Sequence, residues 1–397
     1  MKILHVTASI SPEWGGPTKV VAGLTEKLVE KGVEISILSP FKRGEGLKVI
    51  NPKGVELQLF AQNFIDRLWT SYSLDFARAI KQNVHKFDII HIHEIWHYPN
   101  YFASRAAKKA GKPYVVTIHG ALDPWCLNHK AFKKKIYALL IQKRILREAS
   151  VIHAITNEEI KQIKNFLNNN NNIIIIPNGI NPEDFINLPS RKELEKLYPE
   201  LIGKKVLLFL GRIHPKKGLD LLAKVFGIIA RERDDVRLLI AGPDSDGYKD
   251  KIVQTLKNER VLNKVIFTGM LKDQNKLVAL GGADIFILPS YSEGFSMAIL
   301  EAMISNLPVI ITHQCNFPEV AEVCAGRVIN PNVEQLTETM IELLNNPQLC
   351  KKMGENGHKL ILKKYTWNKI ADQMIKLYED VLLRKKVNVD ETTYSEL

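Results

Sequence analysis

Short apolar runs alternate with longer amphipathic stretches along this chain, and the alternation happens twice. Lys2–Thr7 (KILHVT), Val33–Leu38, Asp88–His93, Tyr114–Ile118, Val151–Ile155 and Ile173–Ile176 read as strands. Between them Thr18–Lys31 carries Val21, Leu24 and Leu28 on one helical face, and helical spacing recurs at 99–110, 131–149 and 157–167. A run that is apolar at nearly every position has no face to give to water. Such strands predict parallel sheets covered by helices on both sides. At Pro177–Pro189 (PNGINPEDFINLP) three prolines and the Asn-Gly and Asn-Pro turn signals break the pattern and mark a linker, followed by a polar, helical stretch at Leu188–Pro199. The rhythm then restarts. Val206–Leu210, Val236–Ala241, Val265–Thr268, Asp284–Pro289 and Pro308–Thr312 read as strands, with helices near 218–232, 248–259, 274–282 and 296–305.

The expected fold is α/β, two Rossmann-like domains whose parallel sheets face each other across a cleft. The N-terminal domain takes 1–185 and the C-terminal domain 186–365. Residues 366–397 form an amphipathic helix, expected to cross back and pack on the N-terminal domain, and a tail. In that helix Trp367, Ile370, Ala371, Met374, Tyr378, Val381 and Leu382 recur at three- and four-residue spacing. Arg384–Leu397 is polar and expected to fray, and the asparagine run Asn168–Asn172 reads as an exposed turn. Clefts at the carboxyl ends of parallel strands are the usual binding sites in such sheets, so useful residues should stand just after strands.

Composition narrows the class. The 397 residues are 45% apolar and 25% charged, which excludes a disordered chain or a disulfide scaffold. Cys126, Cys315, Cys324 and Cys350 form no C-x-x-C pair and read as reduced thiols. The N-terminus reads as a first strand instead of a signal peptide, and no apolar stretch approaches the roughly 18–20 residues of a membrane span. A cytoplasmic location is expected, with membrane contact at most peripheral. The net charge of +12 suggests an anionic partner.

Two segments carry chemistry. Ser290–Glu301 (SYSEGFSMAILE) follows a strand and opens a helix. Its backbone N–H groups at Phe295, Ser296 and Met297, with the helix dipole, favour a phosphate, and Gly294 allows close approach. Glu293 and Glu301 flank that cradle as acceptors suited to sugar hydroxyls. Read alone, the same segment is also a capped helix with two solvated glutamates. Gly211–Asp220 (GRIHPKKGLD) follows another strand and sets Arg212 and Lys217 beside a turn, where two cations can clamp a diphosphate and stabilise a phosphate leaving group. Both segments should end on one edge of one sheet.

GR-x4-KG followed by EGF-x5-E resembles the C-terminal domain of retaining GT-B glycosyltransferases of family four. The resemblance extends to Gly15–Gly16–Pro17, His119–Gly120, Pro177–Ile180 and the final YTW helix, and His119–Trp125 (HGALDPW) is similar to the bacterial polysaccharide-assembly branch. It implies that Arg212 and Lys217 hold the donor diphosphate. Phe295, Ser296 and Met297 give backbone N–H groups to the distal phosphate or sugar. Glu293 takes donor-sugar hydroxyls, Glu301 the ribose, and Met270 and Leu271 the base. Gly15 and Gly16 close over the diphosphate, and His119 faces the sugar near its anomeric carbon. Arg212, Lys217, Glu293 and His119 are the implied catalytic set. Asp123 and Trp125 are candidate acceptor contacts. The resemblance further implies transfer of a hexose, with retention of configuration, from a nucleotide sugar to a glycan or lipid-linked saccharide in exopolysaccharide or O-antigen assembly. UDP-glucose or a related UDP-hexose is the favoured donor, with GDP-mannose the alternative. No cofactor and no metal are implied, the two cations taking the metal's place.

Three features stand beside that reading. His91, His93 and His97 invite a metal interpretation, but His91 and His93 share one strand face and read as core polar contacts and lining. Lys130–Arg147 holds seven cations and no acid, with Phe132, Ile136, Leu139, Leu140 and Leu146 as apolar partners, the pattern of a helix that lies on an anionic membrane surface. Nucleic acid is not expected, because no aromatic platform or recognition motif accompanies the charge. The rival of another class is a non-catalytic two-lobed sugar-binding protein; an epimerase or a pyridoxal-phosphate phosphorylase could share the shell.

Overall fold

The computed structural model describes residues 1–42, 48–63, 69–128, 131–168, 172–244 and 247–383. The tail from 384, the middle of the asparagine run and Lys130 lie outside the described residues. The chain packs as two units, Met1–Gly179 joined by the chain from Trp367 onward, and Ile180–Thr366. The first break thus precedes the Pro182–Phe185 turn, where the sequence reading placed it after residue 185.

Unit 1 holds a seven-stranded parallel sheet. Its strands are β1 (Lys2–Val6), β2 (Glu34–Phe41), β3 (Glu56–Ala61), β4 (Ile89–His93), β5 (Tyr114–Thr117), β6 (Val151–Ala154) and β7 (Ile173–Ile175), in the order β3-β2-β1-β4-β5-β6-β7. The central strands are buried on both faces, as their apolar runs require. The order reverses between β1 and β4, where His5 is the register partner of His91. Further along, His93 pairs with Thr117, and Thr117 with His153.

Unit 2 holds six parallel strands: β8 (Lys205–Leu210), β9 (Val236–Ala241), β10 (Val265–Gly269), β11 (Ile285–Leu288), β12 (Val309–Thr312) and β13 (Gly326–Ile329), ordered β10-β9-β8-β11-β12-β13. Here the reversal falls between β8 and β11, the strands that feed the two chemistry-bearing segments.

Two strands and three of the longer helices escape the sequence reading, as do the short helices Pro124–Asn128 and Glu319–Glu322. Strands β3 and β13 are sheet edges, only partly buried, so neither needs a continuous apolar run. Helices Leu74–Asn83, Val333–Asn345 and Pro347–Lys364 were not read either. The helix expected at 131–149 runs without a break to Glu148 and takes π-helical geometry over Ala138–Gln142, between α-helical Ala131–Tyr137 and Lys143–Glu148.

Helix Trp367–Leu382 belongs to unit 1 and packs on helix Gly16–Glu30. The Trp367 indole lies against Gly23 and Gly179; a Cβ at either would stand 2.4 Å or 2.7 Å from the ring. Only glycine leaves room for it.

Candidate functional site

The loop after β8 is built to touch the end of β11. His214 accepts the Lys216 backbone N–H at 3.1 Å and caps the Pro215–Lys217 turn. Gly218 leaves that turn at φ +67°, and a Cβ there would lie 1.9 Å from the Pro289 carbonyl oxygen. A side chain would therefore clash with backbone as well as strain the turn. Tyr291 N–H donates to the Lys216 carbonyl at 2.7 Å, latching the two loops together.

This latch brings Lys217 and Glu293 into an ion pair, their side chains 18% and 10% exposed. Ser290 Oγ donates to the same Glu293 oxygen at 2.9 Å. The Glu293 backbone is held as well: its N–H donates to Gln314 O at 3.1 Å, and Asn316 Nδ2 donates to its carbonyl at 2.8 Å. Arg212, on the same loop as Lys217, is exposed.

Helix Met297–Ile304 starts at buried Ser296, whose side chain makes no cap bond; the Ile299 N–H donates to the Ser296 carbonyl at 3.1 Å. The Phe295 ring packs on Phe317 at 5.3 Å, which commits its side chain to the core and leaves its backbone for a ligand. Glu301 lies one turn into this helix and pairs with Lys276 at 2.6 Å. Met270 is exposed and Leu271 half-buried, following the turn at Gly269. Ser290, Asn316 and Lys276 are partners that the sequence reading missed. Asn316 and Lys276 lie outside both segments, and only the sheet order brings them in; Ser290 opens the second segment, three residues before Glu293.

In unit 1, Gly15 (φ +98°) and Gly16 enter the first helix, and a Cβ on either would meet nothing within 4 Å. The loop presents bare backbone. Beside it Trp14 Nε1 donates to Glu94 at 2.9 Å, and burial pushes that carboxyl up to about 7. Glu94 and Trp96 both hold positive φ (66° and 78°), and Asn100 Nδ2 braces the turn through the His93 and Glu94 carbonyls.

His119 also stands at positive φ (55°), before Gly120. Buried Glu159 fixes this turn, accepting Gly120 N–H at 2.6 Å and Ile155 N–H at 2.7 Å; its own carboxyl is pushed up to about 7 by burial. Glu159 sits in the first turn of a helix and reads there as an ordinary capping-box acid, so no sequence signal separates it. Asp123 Oδ1 accepts the Trp125 N–H at 2.9 Å, and Trp125 itself is exposed.

The histidine cluster is larger than the sequence suggested. His5, His91, His93 and His153 stand on β1, β4 and β6 and are buried, His119 stands just past β5, and desolvation depresses all five pKa values, to about 3 at His5 and His119 and about 4 at His153. The ring stacking of His91 on His93, 4.2 Å between centroids, follows from their shared strand face. One Asp-x-Asp triplet is present in the chain, Asp244–Ser245–Asp246. Asp244 Oδ1 accepts Tyr248 N–H at 3.0 Å, and the other two residues lie outside the described ones.

Residues 14–184 match the family model described as Glycosyltransferase Family 4, and residues 190–360 match the one described as Glycosyl transferases group 1. The chain is 27% identical to O-antigen chain mannosyltransferase C of Escherichia coli, over 97% of this chain and 100% of that protein. It is 22% identical to MMP alpha-(1->4)-mannosyltransferase of Mycolicibacterium hassiacum, over 97% and 99%. Among solved structures, sucrose-phosphate synthase from Thermosynechococcus elongatus superposes with a TM-score of 0.79 at 18% identity, over 97% of this chain and 100% of that one. Anabaena HepE in complex with UDP and glucose superposes with a TM-score of 0.76 at 17% identity, over 96% and 100%.

Proposed function

We propose that this chain, which belongs to the family-four glycosyltransferases and has the GT-B fold, moves a hexose from a UDP-sugar, UDP-glucose or a close relative, to a saccharide or lipid-linked saccharide acceptor in exopolysaccharide or O-antigen assembly. The observation that carries the reading is the latched pair of loops after β8 and β11, which sets Arg212, Lys217 and Glu293 at the switch point of one parallel sheet. Arg212 and Lys217 neutralise the diphosphate as it leaves, so no metal is required. The backbone N–H groups of Phe295, Ser296 and Met297, at the entry to helix Met297–Ile304, take the distal phosphate. Glu293, oriented by Ser290 and Lys217, takes sugar hydroxyls, and Glu301 takes the ribose. Met270 and Leu271 flank the base. Gly15, Gly16 and His119 complete the donor contacts from unit 1, and the configuration at the anomeric carbon is retained. Asp123 and Trp125 remain candidates for the acceptor; Asp123 is already engaged in a turn, so Trp125 carries more of that role.

A UDP donor is supported by HepE, whose complexes hold UDP and UDP-glucose. A second reading, transfer of mannose from GDP-mannose, is favoured by the two relatives named as mannosyltransferases. Thermal stabilisation by UDP, GDP, ADP and their sugars separates the two. One nucleotide at 100 times its Kd should stabilise by about 2.7 kcal/mol, with the shift surviving EDTA and absent in Arg212→Ala. No shift with any nucleotide would count against the donor site. A shift abolished by EDTA would count against metal independence.

The protein is further proposed to work from the cytoplasm on an anionic membrane surface. No helix among the described residues is long and apolar enough to cross a membrane. The support is the stretch 131–148. Phe132, Leu139 and Leu140 are 77%, 75% and 68% exposed beside Lys135, Lys143 and Arg144. Leu146, expected on the same apolar face, is instead buried with Ile145 in unit 1's core, which anchors the stretch. Cations near such a surface contribute about 1 kcal/mol each. Replacing Leu139 and Leu140 by Ser and Lys135, Lys143 and Arg144 by Glu should cut co-sedimentation with phosphatidylglycerol vesicles more than tenfold. Unchanged binding would remove the membrane from this account.

A further inference from the structure

Five histidines of unit 1 belong to one hydrogen-bonded file that ends on a backbone carbonyl. His153 Nε2 meets Ile176 O at 2.7 Å, and His153 Nδ1 meets Thr117 Oγ1 at 2.7 Å. Thr117 Oγ1 meets His91 Nε2 at 2.6 Å, and His91 Nδ1 meets the Tyr378 hydroxyl at 2.6 Å. That hydroxyl meets His5 Nε2 at 3.5 Å, the longest link. His5 Nδ1 meets His93 Nε2 at 2.8 Å, and His93 Nδ1 meets His119 Nε2 at 3.1 Å. Seven links thus join His119 to the end of β7, passing through a tyrosine from the last helix.

We infer that this file is directional, that it fixes His119 with its proton on Nε2 and the Nδ1 lone pair turned out to accept a substrate sugar hydroxyl, and that Tyr378 and Thr117 are its positioning residues. The substrate contact rests on the proposed donor role of His119; the direction of the file does not. A carbonyl only accepts, so His153 carries its proton on Nε2 and accepts at Nδ1. Thr117 must then donate to His153 and accept from His91 Nε2–H. His91 Nδ1 is left as an acceptor, filled by the Tyr378 hydroxyl, whose oxygen accepts from His5 Nε2–H. His5 Nδ1 accepts from His93 Nε2–H, and His93 Nδ1 accepts from His119 Nε2–H. One fixed acceptor decides every tautomer, provided each ring is neutral, and burial keeps all five pKa values low. Among the described residues His119 Nδ1 has no hydrogen-bond partner.

The same arrangement answers the metal reading. His5, His91 and His93 each place a nitrogen within 4.8 Å of the others. Both His91 nitrogens, however, are taken by Tyr378 and Thr117, and His93 Nε2 by His5. The rings hold one another and not an ion.

The test is the ring-nitrogen spectrum of protein labelled with [15N]histidine at neutral pH, which distinguishes the two neutral tautomers without any turnover. His5, His91, His93, His119 and His153 are all expected as Nε2–H. A single Nδ1–H among them would overturn the file. Tyr378→Phe frees the outer three rings from the anchor and Thr117→Val frees four, so both should displace the His119 resonances, while Thr117→Ser should restore the wild-type pattern. Unmoved His119 resonances in both cut variants would also overturn it. In turnover, Tyr378→Phe should lower kcat about fivefold with KM for the sugar nucleotide unchanged, as loss of one net hydrogen bond implies. It should have no further effect in a His119→Ala background. The expected tautomers without that coupling would keep the file and overturn the substrate contact. Absence of any glycosyl transfer would fall on the proposed function alone.

Discussion

Arg212→Ala should leave a folded protein whose turnover is lower by about 10²–10³, the usual cost of removing one donor or cation from developing transition-state charge. The side chain is exposed, so its removal opens no core cavity. Lys217→Ala should cost at least as much and should also loosen unit 2. Its ammonium is the cation paired with the Glu293 carboxylate, and both groups are largely shielded from water. Removing one partner leaves the other charged and poorly solvated, a loss of about 2–3 kcal/mol at this partial burial. Pairing Lys217→Ala with Glu293→Gln should recover much of that stability and none of the rate. Measuring kcat, KM and the melting temperature for the three variants separates the two effects. Wild-type turnover in Arg212→Ala would refute its place at the leaving group.

On acidification unit 1 should unfold first, well before unit 2. Each of the five filed histidines is neutral in the folded chain and has an ordinary pKa near 6.5 when unfolded. A depressed folded pKa gives stability that is present above the unfolded pKa and lost as pH falls below it. One pH unit below 6.5, each such ring costs about 1.4 kcal/mol. Glu94 and Glu159 act in the other direction. Their folded pKa values are raised to about 7 from 4.5, so protonation returns stability as pH falls from 7 to 4.5. His97, outside the file but also held down by burial, at about 4, adds a sixth histidine. Six protons against two leave a net slope of about 5 kcal/mol per pH unit between 6.5 and 4.5. A domain stable by 5–15 kcal/mol does not survive that interval by a wide margin. All five tryptophans, Trp14, Trp69, Trp96, Trp125 and Trp367, belong to unit 1, so their fluorescence reports it alone while circular dichroism reports both units. Coincident transitions by the two probes would contradict the assignment.

The fold was legible wherever strands are buried on both faces, because KILHV, VLLFL and VIIT admit few other environments. It was not legible at the edges: ELQLFA of β3 and GRVI of β13 are half-exposed and carry a weaker pattern. At the site, Arg212, Lys217 and Glu293 stand just past strands, a position that sequence alone marks. Glu159, Asn316, Lys276 and the histidine file are different. Each depends on which strand lies beside which, and the reversal of order at β1/β4 and β8/β11 is written in no local spacing. Tyr378 reads in the sequence as one more apolar position of an amphipathic helix, while its hydroxyl is the link between His91 and His5.

The last helix also sets a timetable for synthesis. Trp367 fills the space that Gly23 and Gly179 leave open, and Tyr378 completes a polar file that passes through β1. Roughly 190 residues of unit 2 must leave the ribosome after Gly179 before either side chain exists, about 10–40 s of elongation. During that time the N-terminal half has a sheet but lacks its final helix. His5 and His91 are without their shared hydroxyl, and the apolar face of Gly16–Glu30 that the helix will cover is bare. Unit 1 is begun first and finished last, and a chaperone that shelters nascent chains has its natural target there.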